Sequence, residues 1–244
     1  CLGELRALGH EVLVADDERG PLPAGAHEAE GIVCNGLFLH HEAARFPNLR
    51  FVQLTSAGLD RAPVAELAER GVVLFNAKGV YSIPLAEWVV MQLLNIYKRA
   101  RFFEHNQQQR RWQKARDLRE LAGRTACIVG FGDVGREVAK RLQAFGVRVI
   151  GVDLQPAGSP LADRVVGIDM LAEVLPEADF VVLTVPLTPD TRHLVDDETI
   201  AVMKQDAVLV NVSRGAVVDE DALVRALDAG KFLGVALDVF ENEP

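Results

Sequence analysis

Thr125-Ala126-Cys127-Ile128-Val129-Gly130-Phe131-Gly132-Asp133-Val134-Gly135 decides how this chain folds. A short apolar run bounded by glycine reads as a buried strand, and the residues after it, Val134 to Phe145, place Val138, Leu142 and Phe145 on one face of a helix. A strand that enters a helix through Gly-x-Gly-x-x-Gly is a dinucleotide-binding turn. The first glycine permits the tight turn, the second lets backbone approach a pyrophosphate, and the third lets helix and strand pack closely. The helix N-terminus adds unpaired N–H donors and positive potential. Gly130, Gly132, Asp133, Val134 and Gly135 are therefore candidate cofactor contacts, with Asp133 read as a cap of the helix. Asp153 closes the next strand, 23 residues after Gly130. A carboxylate there accepts from both ribose hydroxyls and repels a 2′-phosphate, which selects NAD over NADP.

Downstream the pattern is regular βαβ. Strands read at Thr125 to Val129, Val147 to Val152, Arg164 to Val166, Phe180 to Val185, Ala207 to Val212 and Gly234 to Val239. Helices read at Val134 to Phe145, Met170 to Leu175, Asp197 to Met203 and Glu220 to Ala229. The fold class is α/β with open parallel sheets. Upstream the same rhythm gives strands at Val12 to Val14, Gly31 to Val33, Phe51 to Leu54 and Val72 to Phe75, with helices at Glu42 to Phe46 and Val64 to Arg70. This half opens on a helix-like run, Leu2 to Leu8, where such a sheet normally opens on a strand, so a first strand is expected to be missing. Pro84 opens a helix, Leu85 to Tyr97, apolar almost all round, which implies burial on more than one side. Lys98 to Arg119 holds eight basic residues and reads as a solvated helix face or a connector. The expected domains are 1–96 and 97–244.

Composition narrows the class. The chain has 244 residues and a net charge of −9, which argues against a nucleic-acid or anionic-membrane binder, since polyanion affinity comes from basic side chains displacing counterions. No apolar run reaches the roughly 18 residues of a membrane span. Cys1, Cys34 and Cys127 lack the spacing of a metal knuckle or redox pair, and they fit a reducing, cytoplasmic setting. No metal site is expected. The chain starts without Met and carries no signal peptide pattern, so it reads as a piece of a longer polypeptide.

Ligands of open parallel sheets sit beyond the carboxyl ends of the strands, so the residues there are candidates. After the strand at 180–185 comes Pro186-Leu187-Thr188-Pro189-Asp190-Thr191, where proline fixes a turn able to wall a ring. Next, Ser213-Arg214-Gly215 carries an arginine suited to a carboxylate through two parallel hydrogen bonds. After Gly234 to Leu237 come Asp238 and, five residues on, Glu243, where a bland strand-end or loop carboxylate and a functional one read equally well.

The run from Leu118 through Gly135, the loop from Val185 to Thr191, Asn211-Val212-Ser213-Arg214-Gly215 and Asp238-Val239-Phe240-Glu241-Asn242-Glu243-Pro244 together resemble the D-isomer-specific 2-hydroxyacid dehydrogenases. Leu54-Thr55-Ser56-Ala57-Gly58 resembles that family's substrate domain. The resemblance implies two Rossmann-like domains, a flavodoxin-like substrate domain and an NAD-binding domain. It also implies hydride transfer between NAD(H) and a small D-2-hydroxy or 2-keto acid, and a homodimer built around the cofactor domain. Arg214 would bind the substrate carboxylate and keto oxygen, and Glu243 would keep a catalytic histidine protonated. Asp238 would contact the nicotinamide amide. Val185, Pro186, Thr191, Val212 and Ser213 would line the cofactor, and Ser56, Ala57 and Gly58 would offer backbone N–H groups to the substrate. The family's histidine is expected beyond residue 244, since His10, His27, His40, His41, His105 and His193 match no catalytic position. A rival within the same resemblance is a non-enzymatic NAD sensor of the C-terminal binding protein type.

Overall fold

The computed structural model describes residues 2–243; Cys1 and Pro244 lie outside them. The chain forms two compact units, Cys1–Val80 and Tyr81–Pro244.

The first unit contains α1 (Leu2–Ala7), β1 (Gly31–Cys34), β2 (Phe51–Leu54), α2 (Val64–Glu69) and β3 (Val73–Phe75). The strands form a parallel sheet in the order β1-β2-β3, with Gly31 opposite Phe51 and Phe51 opposite Val73. Side chains alternate across it. Ile32, Cys34, Val52 and Leu54 are buried with Leu37, Phe46 and Leu67, whereas Val33, Phe51, Val73 and Phe75 are exposed. Two expectations fail here. Val12 to Val14 is not a strand: Leu13 and Val14 are exposed and no neighbouring strand pairs with them, so the run gains no ladder hydrogen bonds. Glu42 to Phe46 shrinks to a single 3₁₀ turn, Ala43–Arg45, which is enough to bury Ala43 and Phe46.

The second unit opens with α3 (Ser82–Tyr97) and α4 (Ala100–Gln108), followed by β4 (Thr125–Val129), α5 (Asp133–Ala144), β5 (Arg148–Asp153) and β6 (Arg164–Gly167). Then come α6 (Leu171–Val174), β7 (Phe180–Leu183), α7 (Asp197–Val202), β8 (Ala207–Asn211), α8 (Glu220–Asp228) and β9 (Phe232–Leu237). The six strands are parallel in the order β6-β5-β4-β7-β8-β9. This is a doubly wound sheet whose order reverses between β4 and β7, the place where such sheets bind ligands. β7 and β8 are buried throughout, which explains their unbroken apolar sequence.

Helix α3 corrects the expected domain organisation. It packs inside the second unit, with Ala86, Val89, Val90, Leu93 and Tyr97 in the core beside α5, and the Tyr97 ring lies edge-on to Phe180 at 5.0 Å. The division falls after Val80 because that apolar stripe has its partners in the cofactor-type sheet. Ile83 and Met91 are exposed, so one face rather than several is covered. Pro84 sits in the first turn, where no amide hydrogen is needed. Within the basic segment, Arg99 pairs with Asp117 (2.7 Å) and Arg119 with Asp206 (2.9 Å). Among the described residues no helix is long and apolar enough to cross a membrane.

Candidate functional site

Register brings the carboxyl ends of the strands into one row. Val129 stands opposite Val152 and Leu183, Leu183 opposite Asn211, and Asn211 opposite Leu237. The next residue of each strand therefore lies at one level: Gly130, Asp153, Thr184, Val212 and Asp238. Cross-strand amides stitch that level together, Gly130 to Val152 O (2.8 Å), Thr184 to Val129 O (2.8 Å), Val212 to Leu183 O (3.2 Å) and Asp238 to Asn211 O (3.0 Å).

The three glycines differ in what surrounds them. Gly130 has φ +94°, and a Cβ there would lie 2.7 Å from Val185 N, so only glycine lets the turn press against the end of β7. A Cβ on Gly135 would run into Gly130 O, which is the close packing of helix on strand. Gly132 is exposed, a Cβ there would meet no atom within 4 Å, and the residue precedes the first amides of α5. That open space before a helix N-terminus fits a pyrophosphate. Asp133 does not cap α5. Gly132 is the N-cap, and Asp133 is the first helical residue, where a carboxylate still favours the dipole. Val134 is half-buried behind it. Asp153 is half-exposed; its Oδ2 accepts from Phe131 N (2.9 Å) and its Oδ1 from Gln155 N (3.1 Å).

Beyond β7, Val185 is buried and Pro186 exposed. The Thr191 hydroxyl is turned into its own loop, donating to Pro186 O (2.7 Å) and accepting from Thr188 N (2.8 Å), so it shapes the loop from within. Beyond β8, Val212 and Ser213 are buried. Asn211 organises this turn and was not singled out by sequence. Its Oδ1 accepts from Ser213 N (3.0 Å) and Ser213 Oγ (2.7 Å), and its Nδ2 donates to Arg214 O (2.9 Å). Half-buried Arg214 donates from Nη1 to Ser213 O (2.9 Å). The segment after β9 crosses this turn, because a Cβ on Gly215 would overlap the Phe240 carbonyl group. The crossing lays the backbone of Phe240 and Glu241 against Gly215, next to Arg214; Asp238 and Glu243 on this segment are exposed, and Glu243 Oε1 accepts from Phe240 N (3.2 Å). Arg192 pairs with Glu241 (2.9 Å), and His193 Nε2 lies 3.5 Å from the same carboxylate.

In the first unit, Ser56, Ala57 and Gly58 form the turn after β2. Ser56 Oγ donates to Gly58 O (3.0 Å), Asn76 Nδ2 to Ala57 O (2.7 Å) and Ala77 N to Ser56 O (2.9 Å). His41 donates from Nε2 to Glu18 O (3.0 Å) and is occupied there. Burial pushes the Cys34 thiol up to about 11 and the Cys127 thiol up to about 12, so neither is a nucleophile at neutral pH. Among the described residues no group of three or more His, Cys, Asp or Glu side chains could hold a metal ion.

Comparison with known proteins names this arrangement. Residues 90–244 match the model of the D-isomer specific 2-hydroxyacid dehydrogenase NAD binding domain. The chain belongs to the D-isomer specific 2-hydroxyacid dehydrogenase family. It is 36% identical over 198 residues to hydroxypyruvate reductase of Thermotoga maritima, covering 81% of this chain and 64% of that protein. It is 35% identical over 237 residues to (S)-sulfolactate dehydrogenase of Chromohalobacter salexigens, covering 96% of this chain and 77% of that one. The solved D-lactate dehydrogenase of Aquifex aeolicus, in complex with NAD and lactic acid, superposes with a TM-score of 0.81 at 31% identity over 88% of this chain and 66% of that one. The chain thus spans less than two thirds of the length of the Thermotoga reductase, and 38% of the D-3-phosphoglycerate dehydrogenase of Methanocaldococcus jannaschii. The NAD binding domain model covers the turn at Gly130–Gly135, and the crowding at Gly130 and Gly135 beside the opening at Gly132 fits that cofactor.

Proposed function

We propose that this chain carries the cofactor site and part of the substrate site of an NAD-dependent oxidoreductase acting between a small D-2-hydroxy acid and its 2-keto acid. The observation that carries the reading is the convergence, at one end of one sheet, of the glycine turn, Arg214 and the segment from Asp238 to Glu243. When bound, NADH supplies a hydride to C2 of the keto acid. Arg214, fixed by Ser213 O and by the Asn211 turn, orients the substrate carboxylate and stabilises negative charge that develops on the keto oxygen. Glu243 favours the charged form of the histidine that protonates that oxygen. Asp238 holds the nicotinamide amide, and Val185, Pro186, Val212 and Ser213 wall the cofactor, with Thr191 keeping their loop in shape. In the first unit, the turn at Ser56, Ala57 and Gly58 has backbone N–H groups suited to a carboxylate.

We also infer a substrate domain in the first unit, a homodimer built on the cofactor unit, and a reducing cytoplasmic setting that suits two free buried thiols. Its relatives from Thermotoga, Chromohalobacter and Aquifex are named reductases and dehydrogenases, which supports an enzyme rather than a sensor. The test is a panel of 2-keto acids, including glyoxylate and hydroxypyruvate, offered with NADH and NADPH to the intact polypeptide. Oxidation of NADH by at least one of them is expected; binding of NADH with no turnover across the panel would overturn the enzymatic reading.

A further inference from the structure

The peptide group between Gly130 and Phe131 is gripped at both ends by side chains from different strands. Its carbonyl oxygen accepts from Thr184 Oγ1 at 2.5 Å, and its N–H donates to Asp153 Oδ2 at 2.9 Å. Thr184 reaches the turn because it follows β7, the neighbour of β4; its own amide donates to Val129 O, and its hydroxyl lies 3.2 Å from that same oxygen. The first turn of α5 closes the other side of the carbonyl, since even a Cβ on Gly135 would strike it. Phe131 is anchored too. Its buried ring lies over Gly151, where a Cβ would come within 2.6 Å of it.

We propose that Thr184 is a positioning residue for the cofactor. Its hydroxyl sets the plane of the Gly130–Phe131 peptide and, through the Phe131 N–H, the direction in which the Asp153 carboxylate faces the adenosine ribose. This role rests on Asp153 as the ribose acceptor. At φ +94° Gly130 has no side chain to restrict rotation of this peptide, so the restriction comes from the groups that bind its two ends. Without the hydroxyl, the buried carbonyl loses its donor and the N–H no longer meets Asp153 in one fixed geometry. Binding then has to order both the turn and the carboxylate, and affinity falls by that ordering cost.

The experiment is calorimetry of the chain with NADH and, separately, with ADP-ribose, on Thr184→Val, Thr184→Ser and Asp153→Ala. Thr184→Val keeps the shape and removes the donor; it weakens both ligands about tenfold, the size of one hydrogen bond. Thr184→Ser restores affinity to within about twofold, because the donor is back. In an Asp153→Ala background Thr184→Val has much less effect, since the two side chains act through one peptide. Should Thr184→Val not fold, Thr184→Cys replaces it, with a weaker donor and an affinity below that of the parent. Parent-like NADH affinity in the Val or Cys variant, a loss confined to NADH, or losses that add with Asp153→Ala would each overturn the role of Thr184. A parent chain that binds neither ligand would overturn the NAD site itself.

Discussion

Phe240 passes so close over Gly215 that its carbonyl group occupies the space of any side chain at that position. The contact joins the turn that bears Arg214 to the segment that bears Glu243, and both sides of it are backbone. A methyl group at 215 therefore cannot be absorbed by a rotamer change. Gly215→Ala is expected to displace residues 240–243 and lower kcat/KM of the intact enzyme by about 10- to 100-fold, as misplacement of a catalytic group by about 1 Å does. NADH affinity should stay within about threefold, because the glycine turn is untouched. Steady-state kinetics beside calorimetry checks this, and equal loss of both would place the damage in the cofactor site.

Arg214 has its backbone fixed by Asn211 and its guanidinium braced by the Ser213 carbonyl, so the side chain is ordered in advance. Arg214→Ala is expected to reduce keto-acid turnover by about 10²- to 10³-fold, the loss typical of an oriented cation at a developing negative charge. NADH binding should remain near the parent value. Arg214→Lys should recover little, because a point charge cannot make two parallel hydrogen bonds to a carboxylate. Turnover of Arg214→Lys equal to the parent would remove the bidentate role.

Much of the second unit is legible in the sequence because its physics is local. Strands such as β7 and β8 are buried on both faces and read as unbroken apolar runs, and the glycine spacing fixes the turn. Helix α4 is not legible: in Ala100–Gln108 the buried residue is Asn106, so no apolar stripe marks it. Val12 to Val14 shows the converse, a strand pattern without a partner strand. Asn211 and Thr184 escape for another reason. Their work is done by side-chain hydrogen bonds to main-chain atoms, and Thr184 finds its carbonyl 54 positions away, a link that only the sheet order creates.

Asp153 accepts from the Phe131 and Gln155 amides, and the ribose is the further partner proposed for it. Asp153→Ala removes both the acceptor and the charge that repels a 2′-phosphate. It should weaken NADH by about tenfold or more and leave NADPH unchanged or improved, narrowing the preference between them. Binding isotherms for the two cofactors on parent and variant measure this directly. An unaltered NADH to NADPH ratio would mean that the carboxylate holds the turn but does not read the ribose.

Asp196 caps α7 reciprocally: its Oδ1 accepts from Thr199 N (2.9 Å), while Thr199 Oγ1 accepts from Asp196 N (2.7 Å). The Thr199 amide holds the Asp196 carboxyl below the usual carboxylate value, against the opposing effect of burial. A depressed value in the folded state means that the ionised cap stabilises the fold above the unfolded value, about 3.9, and that this contribution fades as pH falls through the folded value. Asp196→Ala is expected to cost about 1 kcal/mol near neutral pH, the usual worth of an N-cap. The gap in Tm between parent and variant should then close on acidification below about pH 4. Thermal unfolding followed by circular dichroism across that range measures it, and a gap that stays constant into acid would show that the ionised carboxylate is not what caps the helix.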